Sequence, residues 1–283
     1  MAYNDGYSAS GSIIISGGNA LTKAKKFADI FWQRMEFDFE KKNEEYVGYN
    51  ACHLNLAHEL EPNEILLRLN VYDNDKEKLV EFSKSIAPLI LSGPPGVAVT
   101  GGRPHIINVM TYWPALIKKD LVTPTFHMLD EEGNITGSAK ISSITGFESS
   151  EMEETCQPQI SSKGTEIEQK FPNGKIIRLE EICLARSGDK GDMANIGVIA
   201  RSEKIYQFIK TYLTAGVIKG MFKEHCKGSV IRHELDNLGA LNFLLEASLD
   251  GGGTKSLMID AQGKTFAQAL LNQEIFIPEE ILK

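Results

Sequence analysis

The chain has 283 residues, of which 42% are apolar and 24% are charged, and its 38 acidic and 30 basic side chains give a formal net charge of -8. This composition is typical of one large or two modest globular domains and excludes a disordered chain. The negative charge excludes a general attraction to nucleic acid or anionic lipid, so we expect neither partner, and any anion site must be local.

The first part of the chain shows alternating strand and helix patterns. A buried strand is predicted over Ser12–Ser16, and Asn19 is a candidate N-cap for a helix with apolar residues at three- and four-residue steps. A second helix is expected from Asp75 to Leu91. Further strands are predicted at Tyr46–Tyr49, Glu64–Val71, Ile106–Tyr112 and Ile141–Ile144. The order β-α-β-β-α-β is the split βαβ, or ferredoxin-like, pattern.

A polar, acidic stretch without apolar periodicity follows and ends in a Pro-Asn-Gly turn signal. It predicts a first unit at 1–149, a linker at 150–174 and a second unit at 175–283. In the second unit, helices are expected over 203–213, 215–225 and 265–271, and strands over 176–184, 194–201, 229–233, 241–247 and 255–259, with a hairpin turn at 249–254. The predicted fold class is α+β: two sandwich units with mainly antiparallel sheets and ferredoxin-like character.

Three observations predict a cytoplasmic protein. The four cysteines lie far apart without a C-x-x-C pair, which favours reduced thiols over a zinc ribbon or redox motif. The long uncharged run between Lys84 and Arg103 contains three prolines, so it is not a continuous membrane helix. The first 16 residues lack the basic segment of a secretion signal.

The densest polar cluster, Ala185–Asn195, lies between two apolar strand patterns. Its glycines allow positive φ, so backbone N–H groups can converge on an anion, with Arg186 and Lys190 supplying charge. The alternative is a tight hairpin whose acidic and amide side chains cap their own turn. We expect a functional loop of about eight residues, longer than hairpin connections of two to five residues. Its candidate ligand or anion contacts are Arg186, Ser187, Gly188, Lys190, Gly191 and Asn195.

A second candidate is the loop Ser92–His105. Gly101 and Gly102 permit a close approach of backbone to ligand, and the planar guanidinium of Arg103 suits a carboxylate or phosphate. His105 is a candidate acid or base. The alternative is a rigid surface turn in which Arg103 pairs with an acidic neighbour. Asn242 interrupts an apolar run, so it either bonds backbone or faces a site.

Several common site types are not supported. No G-x-x-x-x-G-K-[ST] run follows a strand, and His53 and His58 do not match H-E-x-x-H. Asp189 and Asp192 alone say little about Mg²⁺, which usually takes one or two carboxylates and several waters. We therefore predict no metal.

The cluster also carries a family resemblance. The run Leu184–Val198 closely resembles the signature of the ferredoxin-like C-terminal domain of the acyclic terpene utilisation A (AtuA) family. Further segments look like parts of the same family, in this domain or in the later part of its larger domain: Leu238–Phe243, Leu249–Gly252, Asp260–Lys264, Asp5–Tyr7, Lys25–Arg34 and Thr100–Pro104. Family members are typically longer, with an α/β portion ahead of the segment that begins near Asp5.

The resemblance implies a role in the breakdown of acyclic terpenoid acids as coenzyme A thioesters. The leading hypothesis is an enzyme or enzyme component that acts on a branched acyl-CoA or terpenoid acid, of hydratase or lyase type. Asp189, Asp192 and His105 are the candidate proton-transfer residues. The alternative is a noncatalytic assembly or ligand-binding module that forms a homo-oligomer or requires a separate α/β domain or subunit.

Overall fold

A computed structural model describes residues 2–57, 60–118, 121–140 and 174–282. These fall into a small compact unit, which contains residues 112–140, and a large one, which contains residues 3–111 and 174–282. The predicted strand at 141–144 lies outside the described residues, as does the predicted linker except for Gly174. The boundaries at 149 and 175 remain predictions.

The first part of the large unit forms a five-stranded sheet in the order β2-β3-β1-β4, with β5 also paired to β1. Neighbouring strands in that order are antiparallel. The elements are β1 (Ala2–Ser16), α1 (Ala20–Gln33), β2 (Lys41–Val47), β3 (Glu64–Asp73), α2 (Lys76–Ser92), β4 (Val97–Val99) and β5 (Ile106–Tyr112). Because β3 lies between β1 and β2, this is the predicted split βαβ arrangement.

Period-two burial on the strands explains how the helices pack on this sheet. Alternate side chains of β1 and β3, including Ile13, Ile15 and Leu67, are buried on the face that contacts α1 and α2. Phe31 of α1 and Phe82 of α2 meet edge to face with ring centroids 5.5 Å apart. The core of this part therefore lies between the sheet and its two helices.

The two helix starts differ in how they are capped. Asp75 accepts a hydrogen bond from the Glu77 N–H and caps α2, as its position in the sequence predicts. Asn19 precedes α1 in a left-handed conformation and makes no side-chain cap hydrogen bond. Asn19 therefore occupies the predicted N-cap position, but its side chain does not cap the helix, because a residue at φ 60° does not have the extended backbone that such a hydrogen bond requires.

The remainder of the large unit contains a second antiparallel sheet in the order β11-β12-β10-β9 and a separate strand pair, β13-β8. Because β12 lies antiparallel between β10 and β11, those two strands are parallel to each other and flank it as another split βαβ unit. The elements are β8 (Gly174–Arg178), β9 (Cys183–Lys190), β10 (Met193–Ala200), α3 (Glu203–Tyr212), α4 (Ala215–Met221), β11 (Val230–Leu235), β12 (Ala240–Leu245), α5 (Phe266–Leu271) and β13 (Glu274–Pro278).

Three boundary predictions in this part are wrong. The strand predicted over 176–184 is interrupted by a 3-10 turn at Leu179–Glu181, which ends β8 and starts β9. The segment 255–259 is irregular rather than extended, so 249–254 is not a hairpin turn between two strands. The helix predicted over 215–225 ends at Met221. In the first two cases contacts with distant segments accompany the change, among them Leu179 N with the Gln273 oxygen and Ile259 N with the Glu45 carboxylate.

The small unit contains a two-stranded hairpin, β6 (Thr125–Leu129) and β7 (Ile135–Lys140). Its apolar side chains are largely exposed, among them Phe126, Met128, Leu129 and Ile135. Within the part of the chain that the structure describes, no helix is both long enough and apolar enough to cross a membrane.

Candidate functional site

The cluster predicted as a long loop is a tight hairpin. Strand β9 continues to Lys190 and β10 begins at Met193, so only Gly191 and Asp192 connect them. Gly191 has φ of 69°, as the first central residue of a type II′ hairpin turn requires. The expected connection of about eight residues is therefore wrong, since strand pairing extends through the charged and small residues on both sides.

The turn is fixed by contacts with the loop after β12. The Asp192 carboxylate accepts a hydrogen bond from Gly251 N at 2.7 Å, and its backbone oxygen accepts one from Ser248 N at 3.0 Å. A Cβ on Gly252 would lie 2.7 Å from the Gly191 oxygen, so only glycine fits this approach. The described contacts of the candidate proton-transfer residue Asp192 thus hold two loops together.

Alternation along β9 divides the predicted ligand residues between two faces. Ser187 is buried and accepts a hydrogen bond from Ala267 N at 2.9 Å, which ties the strand to the start of α5. Arg186 lies on the opposite, open face, where Gly197 pairs with both Arg186 and Asn242 across adjacent strands. Asn195 donates to the Asn242 side chain at 2.7 Å on this face.

Arg186 and Asn242 border a shallow groove of about 290 Å³ on the open face. Apolar side chains form much of the groove, and several of these are substantially exposed: Leu184, Ile199, Leu235 and Leu238. Charge and carboxamide groups therefore adjoin an apolar surface. The sequence predicted the polar members but missed the apolar ones, which come singly from β9, β10, the end of β11 and the 3-10 turn at Asp236–Leu238.

Lys264 adds a cation beside the hairpin that the sequence did not identify. Its amine lies 3.6 Å from the Asp189 carboxylate. The same amine lies 3.0 Å from where a Cβ on Gly188 would be, so the missing side chain leaves room for it. Lys190 is exposed at the end of β9. Two cationic side chains, Arg186 and Lys190, thus belong to the hairpin, and a third, Lys264, lies beside it.

The second predicted loop is anchored to other elements. Gly101 and Gly102 are exposed at φ of 77° and 74°, with open space around each. Arg103 donates from Nε to the Ser83 hydroxyl of α2 at 2.9 Å, and His105 is exposed. Among the described residues, no hydrogen bond or ion pair joins this loop to the β9–β10 hairpin.

A larger cavity of about 510 Å³, lined by charged, polar and apolar side chains, lies elsewhere in the large unit. It is bordered by β2 and by three later segments, with lining residues that include Lys41, Lys42, Glu44, Glu45, Asn50, Leu54, Glu224, His225, Lys227, Asp250, Leu257 and Met258. The sequence did not predict this cavity, because its walls come from segments far apart in the chain.

Glu45 is the buried carboxylate of this region. Its oxygens accept hydrogen bonds from Arg68, from Asn70 at 3.1 Å and from Ile259 N at 2.5 Å. Burial raises the pKa of Glu45, and the Ile259 N–H and the Arg68 charge oppose that rise. The carboxylate thereby connects β2 and β3 to the irregular segment that follows β12.

His225 is the buried imidazole of the same region. It is 4% exposed, and its ring packs edge-on against Phe222 and Phe266. Its Nε2 lies 3.2 Å from the Cys52 carbonyl oxygen, whereas its Nδ1 has no hydrogen-bond partner among the described residues. Burial lowers the pKa of His225, so the neutral ring is favoured.

The described cysteines are not activated nucleophiles. Burial raises the pKa of Cys52 and Cys226, and it raises the pKa of Cys183 to about 12. Cys226 lies within 3.4 Å of the Glu246 backbone oxygen, so the thiol has a backbone partner rather than its neighbour His225. No group of metal-ligating side chains with suitable geometry occurs in the described ranges.

The fold and its hairpin signature define an α+β protein with a ferredoxin-like domain, and comparison with known proteins identifies the family. The model of the acyclic terpene utilisation family protein AtuA matches residues 1–128, and the model of the AtuA ferredoxin-like domain matches residues 177–276. The chain belongs to the AtuA family, and membership indicates a role in acyclic terpene utilisation. The first match starts at residue 1, slightly before the Asp5 start that the resemblance suggested. Searches of curated proteins and of solved structures found no match.

Proposed function

We propose that the protein is an enzyme, or a component of one, in acyclic terpenoid and branched acyl-CoA catabolism, acting in the cytoplasm. The observation that carries the proposal is the groove on the open sheet face, where Arg186 and Asn242 adjoin exposed apolar side chains. A terpenoid acyl chain has the same two parts, a branched hydrocarbon and a carboxylate or thioester.

The physical match has two terms. Burying hydrocarbon against the apolar part of the groove stabilises the complex by roughly 25 cal/mol per Å². A guanidinium forms charge-assisted, planar hydrogen bonds with a carboxylate or a coenzyme A phosphate, and a carboxamide donates to a carbonyl oxygen. Lys190 and Lys264 extend the positive charge along the hairpin, where an anionic carrier group would be attracted.

The proposed reaction class is hydration of a carbon–carbon double bond or the reverse elimination. Such a step adds or removes one proton and one hydroxyl group, so it requires a proton-transfer group but no oxidant. Asp189 is the candidate on the hairpin that bears the signature, and Lys264 lies 3.6 Å away. Asp192 and His105 are the other candidates. A coenzyme A thioester enters as substrate, and no metal is part of the proposal.

Titration calorimetry with coenzyme A, branched acyl-CoA esters and free terpenoid acids tests the groove. Arg186→Ala is expected to weaken acyl-CoA binding at least tenfold, and Asn242→Ala to weaken it less. Arg34→Ala, an exposed change at the end of α1, is the matched control and should leave affinity unchanged. Equal affinities in the Arg186→Ala and control variants would refute the groove assignment.

The exposed hairpin of the small unit favours a second candidate function. Isolated two-stranded hairpins are marginally stable in water, and Phe126 and Met128 of this one are each more than half exposed.

We propose that the protein is alternatively a module that forms a homo-oligomer or docks on a separate α/β subunit through this surface. Light scattering tests it: the Phe126→Ser, Met128→Ser double variant should reduce the mass of an oligomer. A monomeric parent protein would rule out the homo-oligomer.

A further inference from the structure

Strand β11 is an edge of the second sheet of the large unit. It pairs with β12 on one side, in an antiparallel register that runs from Val230 to Leu235, and no other described strand pairs with it. An edge strand presents backbone N–H and C=O groups that can pair with another chain. Which groups β11 presents decides what can bind there.

The hydrogen bonds to β12 decide which residues of β11 point outward. Glu246 N donates to the Ser229 oxygen at 2.9 Å, so the residues that bond to β12 are Ser229 and every second residue after it. Arg232 and Glu234 belong to the other set, so their backbone N–H and C=O groups point away from the sheet. Among the described residues, these outward groups make no hydrogen bond. The two positions are therefore open to a second strand.

The side chains at these two positions have opposite charges. The Glu234 carboxylate is 40% exposed and contacts Arg232 and Lys210, each at 2.8 Å. Arg232 uses Nη2 for this carboxylate and for the Lys210 backbone oxygen, and its Nη1 makes no hydrogen bond within the described ranges. A cation and a carboxylate thus lie two residues apart on the same side of an open strand.

A second copy of β11 fits this pattern in one antiparallel register. Outward residues must face outward residues, so the register changes in steps of two. When His233 faces its own copy, Arg232 faces Glu234 and Ile231 faces Leu235. A shift of two residues in either direction instead puts Arg232 opposite Arg232 or Glu234 opposite Glu234. Opposite charges stabilise a cross-strand pair and like charges destabilise it, so the charges select the first register.

We propose that the protein forms a symmetric dimer in which β11 pairs antiparallel with β11 of a second copy, with the two-fold axis at His233. The axis repeats every pair, so the interface contains two pairs of Arg232 with Glu234 and two of Ile231 with Leu235. Leu235 borders the groove on the open face, so the partner's Ile231 lies next to its rim. The pairing does not depend on what the groove binds or on the exposed hairpin of the small unit.

Disulfide trapping on the full chain locates the two-fold axis. Residues directly opposite at a non-hydrogen-bonded position have Cα atoms about 4.5 Å apart, within the disulfide range of roughly 4.4–6.8 Å. His233→Cys should therefore give a disulfide-linked dimer under mild oxidation, above the background of the parent protein. Leu235→Cys is the matched control and should not cross-link, because four residues along the strand, about 13 Å, separate it from its own copy. Adding Ile231→Cys to Leu235→Cys should restore the cross-link.

The trapping experiment also separates this interface from the hairpin of the small unit. The Phe126→Ser, Met128→Ser change should leave the His233→Cys cross-link intact. Loss of the cross-link in that background would assign self-association to the hairpin and overturn the proposal. Absence of a linked dimer in His233→Cys, or equal linkage in Leu235→Cys, would overturn it as well.

Exchanging the charges tests the register independently. Arg232→Glu and Glu234→Arg each put like charges opposite each other, so each variant alone should self-associate at least tenfold more weakly in analytical ultracentrifugation. In an equal mixture of the two variants opposite charges face each other again, so a dimer with one copy of each should form. An ion pair within one chain cannot produce this recovery. If the folded variants remain monomeric when mixed, the register is wrong; if Arg232→Glu does not fold, the His233→Cys result decides.

Discussion

Removing the Glu45 carboxylate is predicted to be one of the most damaging single changes in the chain. The side chain is 5% exposed and accepts hydrogen bonds from Arg68, Asn70 and Ile259 N. Glu45→Ala leaves the Arg68 charge without its counterion and two N–H donors without their acceptor. Burial raises the pKa of Glu45, so burying the ionised carboxylate is itself unfavourable. The predicted loss of folding stability in Glu45→Ala therefore comes from the partners that lose their acceptor.

The magnitude follows from the kind of interaction that is broken. Removing one partner of a buried ion pair costs about 3–5 kcal/mol. Glu45→Gln keeps an acceptor oxygen and removes the charge, so it should cost about 1–3 kcal/mol, the usual range for one poorly satisfied buried group. At roughly 2–4 °C per kcal/mol for a chain of this size, the alanine variant should melt on the order of 10 °C lower.

Urea unfolding and hydrogen exchange check this prediction together. The midpoint should fall in the order parent, Glu45→Gln, Glu45→Ala, and the Ile259 amide should exchange faster in the alanine variant because its acceptor is gone. A loss below about 1 kcal/mol in Glu45→Ala, or an unchanged Ile259 exchange rate, would refute the reasoning. It would show that the segment after β12 is held by its other contacts.

Three further predictions concern stability. Burial lowers the pKa of His225 in the folded state. The contribution of its neutral ring to folding stability is therefore full above the unfolded pKa of about 6.5, and it is lost as the pH falls from there through the lowered folded pKa. Melting temperatures measured across this pH range should change less in His225→Gln than in the parent protein. Gly252→Ala should destabilise the protein far more than Gly101→Ala. Both changes place alanine at a positive φ, which costs about 1 kcal/mol, but only the Cβ at position 252 would also clash with the Gly191 oxygen. Equal urea midpoints of the two variants would contradict this predicted clash. Ser187→Ala should cost about 1–3 kcal/mol of stability, because the Ala267 N–H of α5 loses its hydrogen-bond acceptor, and it should leave acyl-CoA affinity unchanged. A loss of affinity without a loss of stability would instead make Ser187 a ligand contact.

The local sequence pattern was sufficient to predict a helix or strand where one face of that element is buried. The three- and four-residue steps between Leu21, Ala24, Phe27 and Phe31 predicted α1, and the cap at Asp75 predicted the start of α2. The order of these elements then predicted the split βαβ sheet, because antiparallel strands separated by helices have few ways to bury one face. The hairpin signature of 184–198 likewise predicted the family.

Tertiary structure alone decided which of the singled-out residues share a surface. Sequence composition made Arg186 and Ser187 equal members of one polar loop, but strand pairing puts neighbouring residues on opposite faces of a sheet. The segment 255–259 has strand-like composition, yet contacts such as that of Ile259 N with Glu45 hold it in an irregular form. The cavity around His225 could not be predicted from the sequence, because its walls come from segments that meet only after the chain has folded.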